Sequence, residues 1–550
     1  MGSAALLNPK LYRQPPQESI PGRVDLQRPT AGATISVPSA FAVGVVGIRR
    51  FSPLFFESAL AMSSELTQLT ARAAVDLLKK RAISPLDLID AAVARIEATD
   101  PALNALPTRC IERARDHARR LMQTPDGTFT DSPYQLHGLP IAVKDNNEVS
   151  GVRCTMGSRV YAGRISQVND VIVDRLERHG AIVLAKSNLP EFAAGGTTSN
   201  DVFGTTVNPW NTGMTCGGSS GGSAAALAAG QVWLATGNDF AGSIRIPSSF
   251  CATVGLRPST GTVARVQRQP YSPLSVEGPM ARNIADLALM LDCEAGELAL
   301  DPLSRPAPAR SFLSAALAPE LPPRIAYSPD LGIAPAVDPE VAALCRSAAE
   351  RLQVGGTRVE QAAPDLRDAH AIFQVLRSHI YVGRLAAIMD QHRDQMTANV
   401  IWNTEQGLAR SVREVVDAEI GQAELARRTV RFFDHHDLLV CPVALSAPFD
   451  ARRPGPEVPA RVAFDTYYHW MILTYAITLT ACPALSIPCG VTAEGLPVGL
   501  QVVGPPRSDH RVLAAGAWME QAFGLSDRVP MDPVIVAPSP VSSLKESTHR

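Results

Sequence analysis

GGSSGGSAAALAAG, Gly217 to Gly230, is the stretch on which the reading of this chain turns. Its start, Gly217-Gly218-Ser219-Ser220-Gly221, matches G-x-S-x-G, the nucleophile-elbow pattern in which a serine sits on a sharp turn between a strand and a helix. Such an elbow needs a strand before Ser219 and an acid and a histidine after it. The preceding NPWNTGMTCGG, Asn208 to Gly218, holds Pro209, Asn211 and Gly213 and makes a poor strand. Histidines follow at His370, His379, His392, His435, His436, His469, His510 and His549, none in a distinctive setting. A phosphate loop would need a Gly-Lys-Ser/Thr ending, which is missing. Taken alone, the stretch also reads as a flexible glycine-serine turn with no chemistry, leading into an alanine-rich helix.

Working outward, GLPIAVKDN (Gly138 to Asn146) and GAIVLAKSN (Gly180 to Asn188) are short apolar runs of strand character. Between them DVIVDRLERHG reads as a helix ending at Gly180. Strand, helix, strand in succession predicts an α/β core with parallel pairing. QVWLATG (Gln231 to Gly237) is a further buried strand, and strand texture returns in DLLVCPVALSAP (Asp437 to Pro448) and CPALSIPCGVTAEGLPVGLQVVGP (Cys482 to Pro505). Near the start, Thr70 caps a helix over residues 71–81, and Ser84, Pro85 and Asp87 open a second one. Residues 300–435 read as a helical insertion over one face of the sheet. Residues 1–61, proline-rich at the start, read as a disordered extension whose removal leaves activity intact, and 531–550 as a loose tail.

A chain of 550 residues allows two to four domains or one large one. With 51 basic and 53 acidic residues the net charge is −2, which offers no field to gather nucleic acid or anionic membrane. The longest apolar run, VPSAFAVGVVGI at Val37 to Ile48, is too short to span a bilayer. Nine scattered cysteines with no C-x-x-C suggest neither a disulfide framework nor a zinc site, and point to a reducing, cytoplasmic setting.

The glycine-serine stretch is not isolated. KSNLPEFA (Lys186 to Ala193), NPW (Asn208 to Trp210), the stretch itself and GNDFAGSIRIPSSFCATVGLRPS (Gly237 to Ser259) follow in order, with GLPIAVKDN before and GLPVGLQVVGP long after. Over about residues 64–525 the chain resembles the amidase signature family of serine hydrolases. The resemblance implies a mixed, twisted sheet of about eleven strands covered by helices, one catalytic domain over 62–530, and a Ser-Ser-Lys triad. In it Lys144 is the base, Ser219 a bridging serine on a cis peptide, and Ser243 the nucleophile. It implies no metal or organic cofactor, a small-molecule amide as partner, and, as in many relatives, a homodimer.

Those residue types suit the chemistry. A serine hydroxyl needs a base within reach, and a buried lysine, its ammonium disfavoured by desolvation, can supply one. The turn Phe240-Ala241-Gly242-Ser243 is expected to aim backbone N–H groups at an oxyanion, with Asp239 and Arg245 tying it down rather than forming a surface ion pair. Asn238 and Ser220 are read as support, Ser223 as a network hydroxyl, and Cys216 and Cys251 as packing. Ala193 and Gly195, in Ala193-Ala194-Gly195-Gly196, are expected to line the site opposite the nucleophile. Aromatic walls are sought in FDTYYHWMILTYA (Phe464 to Ala476) and at Trp402. The family's usual Gly-Thr-Asp-x-Gly-Gly-Ser is here Gly237-Asn238-Asp239-Phe240-Ala241-Gly242-Ser243, and Ile246 stands where amidotransferase relatives carry Gln. The expected activity is hydrolysis of a small or medium amide with an apolar or aryl part, with anilides, esters and carbamates open. An amidotransferase subunit and a non-catalytic interaction protein are the competing readings.

Overall fold

The computed structural model describes residues 65–123, 135–457 and 464–536, all within one compact unit, Leu54–Arg550. Eleven strands build one sheet: β1 (Thr108–Arg109), β2 (Pro140–Lys144), β3 (Ile182–Ser187), β4 (Leu234–Asp239), β5 (Val254–Arg257), β6 (Val276–Ala281), β7 (Arg324–Tyr327), β8 (Arg358–Gln361), β9 (Leu438–Pro442), β10 (Ala484–Val491) and β11 (Pro497–Val503). Their order across the sheet is β1-β3-β2-β4-β6-β5-β10-β11-β9-β7-β8. β3, β2 and β4 run parallel, as do β9, β7 and β8, and the strands between are antiparallel.

β2 and β3 are buried along their whole length, which is why they appear in sequence as unbroken apolar runs instead of alternating ones. The helix between them is Val171–Arg178, closed at Gly180 with φ +80°. The helix capped by Thr70 covers Ala71–Lys79, two residues short of the expected end because Arg81 takes a left-handed φ of +56°. Ser84 and Asp87 form a reciprocal capping box on the Pro85–Leu103 helix.

Three expectations need correction. Residues 300–435 are not purely helical: long helices at Ala369–His392, Ala398–Leu408 and Val412–Phe432 are accompanied by β7 and β8, which extend the main sheet to its edge. The poor strand before Ser219 does form, as Asn211–Thr215, but in a separate ribbon with Val207–Asn208 and not in the sheet. The tail is held as far as Val536: the Met531 and Val534 amides donate to the Ala228 and Pro209 carbonyls, and Arg95 pairs with Asp532 at 2.6 Å. Residues 1–61 and 537–550 lie outside the described residues. No described helix is long and apolar enough to cross a membrane, and all nine cysteines are buried free thiols.

Candidate active site

β2 and β4 are parallel neighbours, and their carboxyl ends meet where α/β sheets commonly place ligands. Lys144 is the last residue of β2 and fully buried. Its amide donates to Thr236 Oγ1 of β4 at 2.9 Å, which locks the strand ends together. Its ammonium nitrogen donates to Ser219 Oγ at 2.7 Å and Ser220 Oγ at 2.9 Å, and to the Asn238 side-chain carbonyl. Burial lowers the Lys144 pKa from the ordinary 10.5 to about 7, while the charges of Glu277 and Asp239 push it back up. Near neutral pH the amine is therefore available as a base.

Ser219 and Ser220 lie in the turn before the helix Gly221–Ala228, every residue of which is buried. This helix packs so closely that a Cβ on Gly222 would come within 2.3 Å of the Asn188 amide nitrogen. The Gly218–Ser219 peptide is cis. Ser220 occupies the N-cap position without capping through its side chain, its hydroxyl being engaged by Lys144. The Ser223 hydroxyl joins the Ser187 hydroxyl at 2.7 Å and donates to the Thr236 carbonyl at 2.9 Å, a network position as expected.

Ser243 is buried and close to the same turn, because the Ser220 amide donates to the Ser243 carbonyl at 3.1 Å. Its hydroxyl makes no hydrogen bond among the described residues. Asp239 and Arg245 are both fully buried and paired side-on, Nε to Oδ2 at 2.9 Å and Nη2 to Oδ1 at 2.8 Å. Arg245 also donates to the Thr474 carbonyl, Gln501 Oε1 and Thr478 Oγ1, and Arg257 donates to the Asp239 carbonyl at 2.6 Å. Burial by itself raises the Asp239 pKa, but Arg245, then Arg257 and the Gly242 amide, outweigh it and hold the carboxyl well below the carboxylate range.

One expectation about the turn changes. The Gly242 amide already donates to Asp239 Oδ1 at 3.0 Å, so it is not free for an oxyanion. The amides of Phe240, Ala241 and Ser243 make no hydrogen bond among the described residues and remain open donors. Gly242 instead serves shape, with φ +110° and a hypothetical Cβ 2.3 Å from Thr474 Oγ1. Ala241 does not have positive φ, so its methyl is accommodated without strain, and Thr474 Oγ1 holds its carbonyl at 2.6 Å.

Beside the turn opens a cavity of about 380 Å³. Phe192, Phe240, Met156 and Leu385 form its apolar side, while Arg265, Glu277 and Arg384 stand on it as charged groups. Its lining holds Phe192 and Phe240 but none of Lys144, Ser219, Ser243, Ala193 and Gly195, so it lies next to the triad residues and does not include them. The aromatics of Phe464–Ala476 do not line it either. Trp470 packs on Phe250 and Phe449, and Tyr475 stacks on Phe373 at 4.3 Å, with Phe373 in turn against Phe240 at 5.5 Å. Trp402 sits against Tyr467 and Tyr468. Phe373, with Tyr475 stacked on it, backs the Phe240 ring of the turn. Sequence reasoning missed Arg265, Glu277 and Arg384; the available signal was Glu277, a lone charge within the apolar run VEGPMA.

His370, Asp465 and His469 bring possible ligand atoms within 4.8 Å of one another. The two imidazoles stack with centroids 3.9 Å and planes 10° apart, so their in-plane lone pairs do not converge on one ion. The His370 ring nitrogens already meet Tyr475 Oη and the Gln374 side chain.

A family model described as Amidase matches residues 87–513. The chain is 33% identical over 469 residues to an acylamidase of Rhodococcus erythropolis, covering 83% of this chain and 95% of that protein. It is 34% identical over 493 residues to a glutamyl-tRNA(Gln) amidotransferase subunit of Moorella thermoacetica, covering 85% and 99%. Among solved structures it is similar to a bacterial aryl acylamidase of the amidase signature family, with TM-score 0.77, 27% identity, and coverage of 85% of this chain and 99% of that one.

Proposed function

The chain belongs to the amidase family, hydrolases of carbon–nitrogen bonds, and on that premise we propose that it cleaves a small or medium amide with an apolar or aryl part through an acyl-enzyme on Ser243. The observation that carries the reading is the buried Lys144 amine, 2.7 Å from Ser219 Oγ and lowered to a pKa of about 7. Lys144 as neutral base takes the Ser243 proton through the Ser219 hydroxyl while Ser243 Oγ attacks the amide carbon. The resulting oxyanion is held by the free amides among Phe240, Ala241 and Ser243, each such donor typically contributing about 3–4 kcal/mol to the transition state. The proton returns by the same route to the leaving amine, and water then cleaves the ester with Lys144 again as base. Asn238, Ser220, Asp239 and Arg245 position these groups without reacting. The apolar wall of Phe192, Phe240, Met156 and Leu385 supports an apolar or aryl group beside the reacting carbon. One catalytic domain over residues 62–530 carries all of it.

A second reading, the glutamine-hydrolysing subunit of a tRNA-dependent amidotransferase, is favoured by the relative in Moorella thermoacetica. Ile246 bears on it less than its sequence position suggests, because it is buried in the core rather than facing the cavity. Initial rates of aniline release from an acetanilide and of ammonia release from glutamine separate the two. The amidase reading expects anilide turnover that falls about a thousandfold or more in Ser243→Ala. Turnover of glutamine alone, or a Ser243→Ala rate equal to wild type, overturns it.

A further inference from the structure

The cavity beside Phe240 is built for more than an apolar group. Arg265 Nε and Nη1 are buried without a hydrogen-bond partner among the described residues. Its one ion contact, Nη2 to Glu277 Oε1, is 3.6 Å long, beyond the 2.7–2.9 Å of a charge-assisted hydrogen bond. Arg384, half-buried on the same wall, makes no hydrogen bond or ion pair among the described residues. Glu277 Oε2 is likewise buried and unpartnered. Burial raises the Glu277 carboxyl pKa, against the pull of the Arg265 charge.

Of the other charges around the cavity, Arg268 is exposed to solvent, and the remaining ones are paired. Arg164 Nη2 meets Glu148 Oε1 at 2.7 Å, and Asp170 Oδ2 accepts from the Glu148 amide and the Asn147 side chain. Buried guanidinium nitrogens without partners are costly unless something compensates them, so the two of Arg265, with the half-buried, unpaired Arg384 on the same wall, mark a place prepared for an anion. The place is coupled to the reacting groups. Glu277 is the cross-strand partner of Asn238, whose side-chain carbonyl accepts from Lys144. Phe240 belongs both to the turn before Ser243 and to the cavity wall.

We propose that the substrate bears a carboxylate, seated on Arg384 and Arg265, with its apolar stem along Phe192 and Leu385. The carboxylate gives the forked guanidinium donors the paired oxygens they lack, while the stem covers the apolar side. Arg384 and Arg265 are thus specificity residues, and the inference rests on the amide-hydrolase reading above.

The test compares matched amides: glutaranilic acid against N-phenylpentanamide for a carboxylate on the acyl side, and 4-acetamidobenzoate against 4-methylacetanilide for one on the amine side. The readout is the ratio of kcat/KM for acid over neutral partner in wild type, Arg384→Gln and Arg384→Lys. The expected result is a wild-type ratio of about ten or more in one pair, collapsing about tenfold or more in Arg384→Gln and partly kept in Arg384→Lys. A structural role for Arg384 would lower both rates together and leave the ratio alone. A wild-type ratio at or below one in both pairs, or a ratio unchanged by Arg384→Gln, overturns the proposal. Should no anilide turn over, calorimetric binding of the same four compounds to Ser243→Ala decides: acid-selective binding lost on adding Arg384→Gln sustains the carboxylate seat while the hydrolase reading falls, and equal binding of acid and neutral partners overturns the seat.

Discussion

Lys144 stands in the unusual position of a lysine whose every hydrogen-bond partner is neutral. Two serine hydroxyls and the Asn238 amide surround it, and the acids that act on it, Glu277 and then Asp239, do so by charge and not by a hydrogen bond. The balance between desolvation and Glu277 therefore sets where it titrates. The base form exists above its pKa, so kcat/KM is expected to rise with pH through a limb at about 7. Glu277 favours the ammonium, so Glu277→Gln removes that support, lowers the Lys144 pKa and moves the limb to lower pH. A pH–rate profile with the limb unmoved or shifted upward would contradict this. That Lys144 meets Ser219, and that the Ser219-Ser220 turn meets Ser243, was legible because each residue stands in a long, specific motif. The burial and side-on pairing of Asp239 with Arg245 was legible only in direction, since a sequence shows a charge but not its solvent. That the Gly242 amide is taken by Asp239 was not legible at all, because hydrogen-bond direction at a turn depends on dihedral angles.

At the scale of elements, the turn from Asp239 to Ser243 is a backbone shape clamped between the Arg245 network and the Ile472–Thr478 helix. Thr474 holds the Ala241 carbonyl and fills the space a Gly242 side chain would need. Gly242→Ala is expected to push the turn off Thr474 and misplace the neighbouring amides, lowering kcat about a hundredfold. Steady-state kinetics with any turned-over anilide measures it, and wild-type kcat in that variant would remove the turn from the oxyanion role. The elements themselves show what a sequence reveals. Central strands such as β2 and β3 are buried on both faces and announce themselves as apolar runs. β7 and β8 are four residues long, at the sheet edge, and β8 is largely exposed, so neither apolar content nor length set them apart from the loops among the surrounding helices. Asn211–Thr215 went unrecognised as a strand for a related reason, its pairing partner being a two-residue ribbon strand and not the sheet.

At the scale of the whole molecule, the sheet gathers residues that no local pattern connects. Lys144, Ser219 and Ser243 arrive from β2, a helix-start turn and the turn after β4, while Arg265, Glu277 and Arg384 come from a loop, β6 and a long helix. Family likeness carries the first three across that distance, because their motifs are read as a set. It carries nothing about the second three, whose meaning lies in a shared cavity that only the fold assembles. The aromatic segment Phe464–Ala476 shows the converse, since its composition suggested a pocket wall and packing made it the support behind one. The central claim, Ser243 as nucleophile with Lys144 as its base through Ser219, is tested most directly by reacting the full chain with a fluorophosphonate at pH 8 and locating the adduct by peptide mass spectrometry. The account predicts an adduct on Ser243, formed about a hundredfold or more slowly in Lys144→Ala. An adduct on Ser219, or equal labelling of Ser243 with and without Lys144, would contradict it.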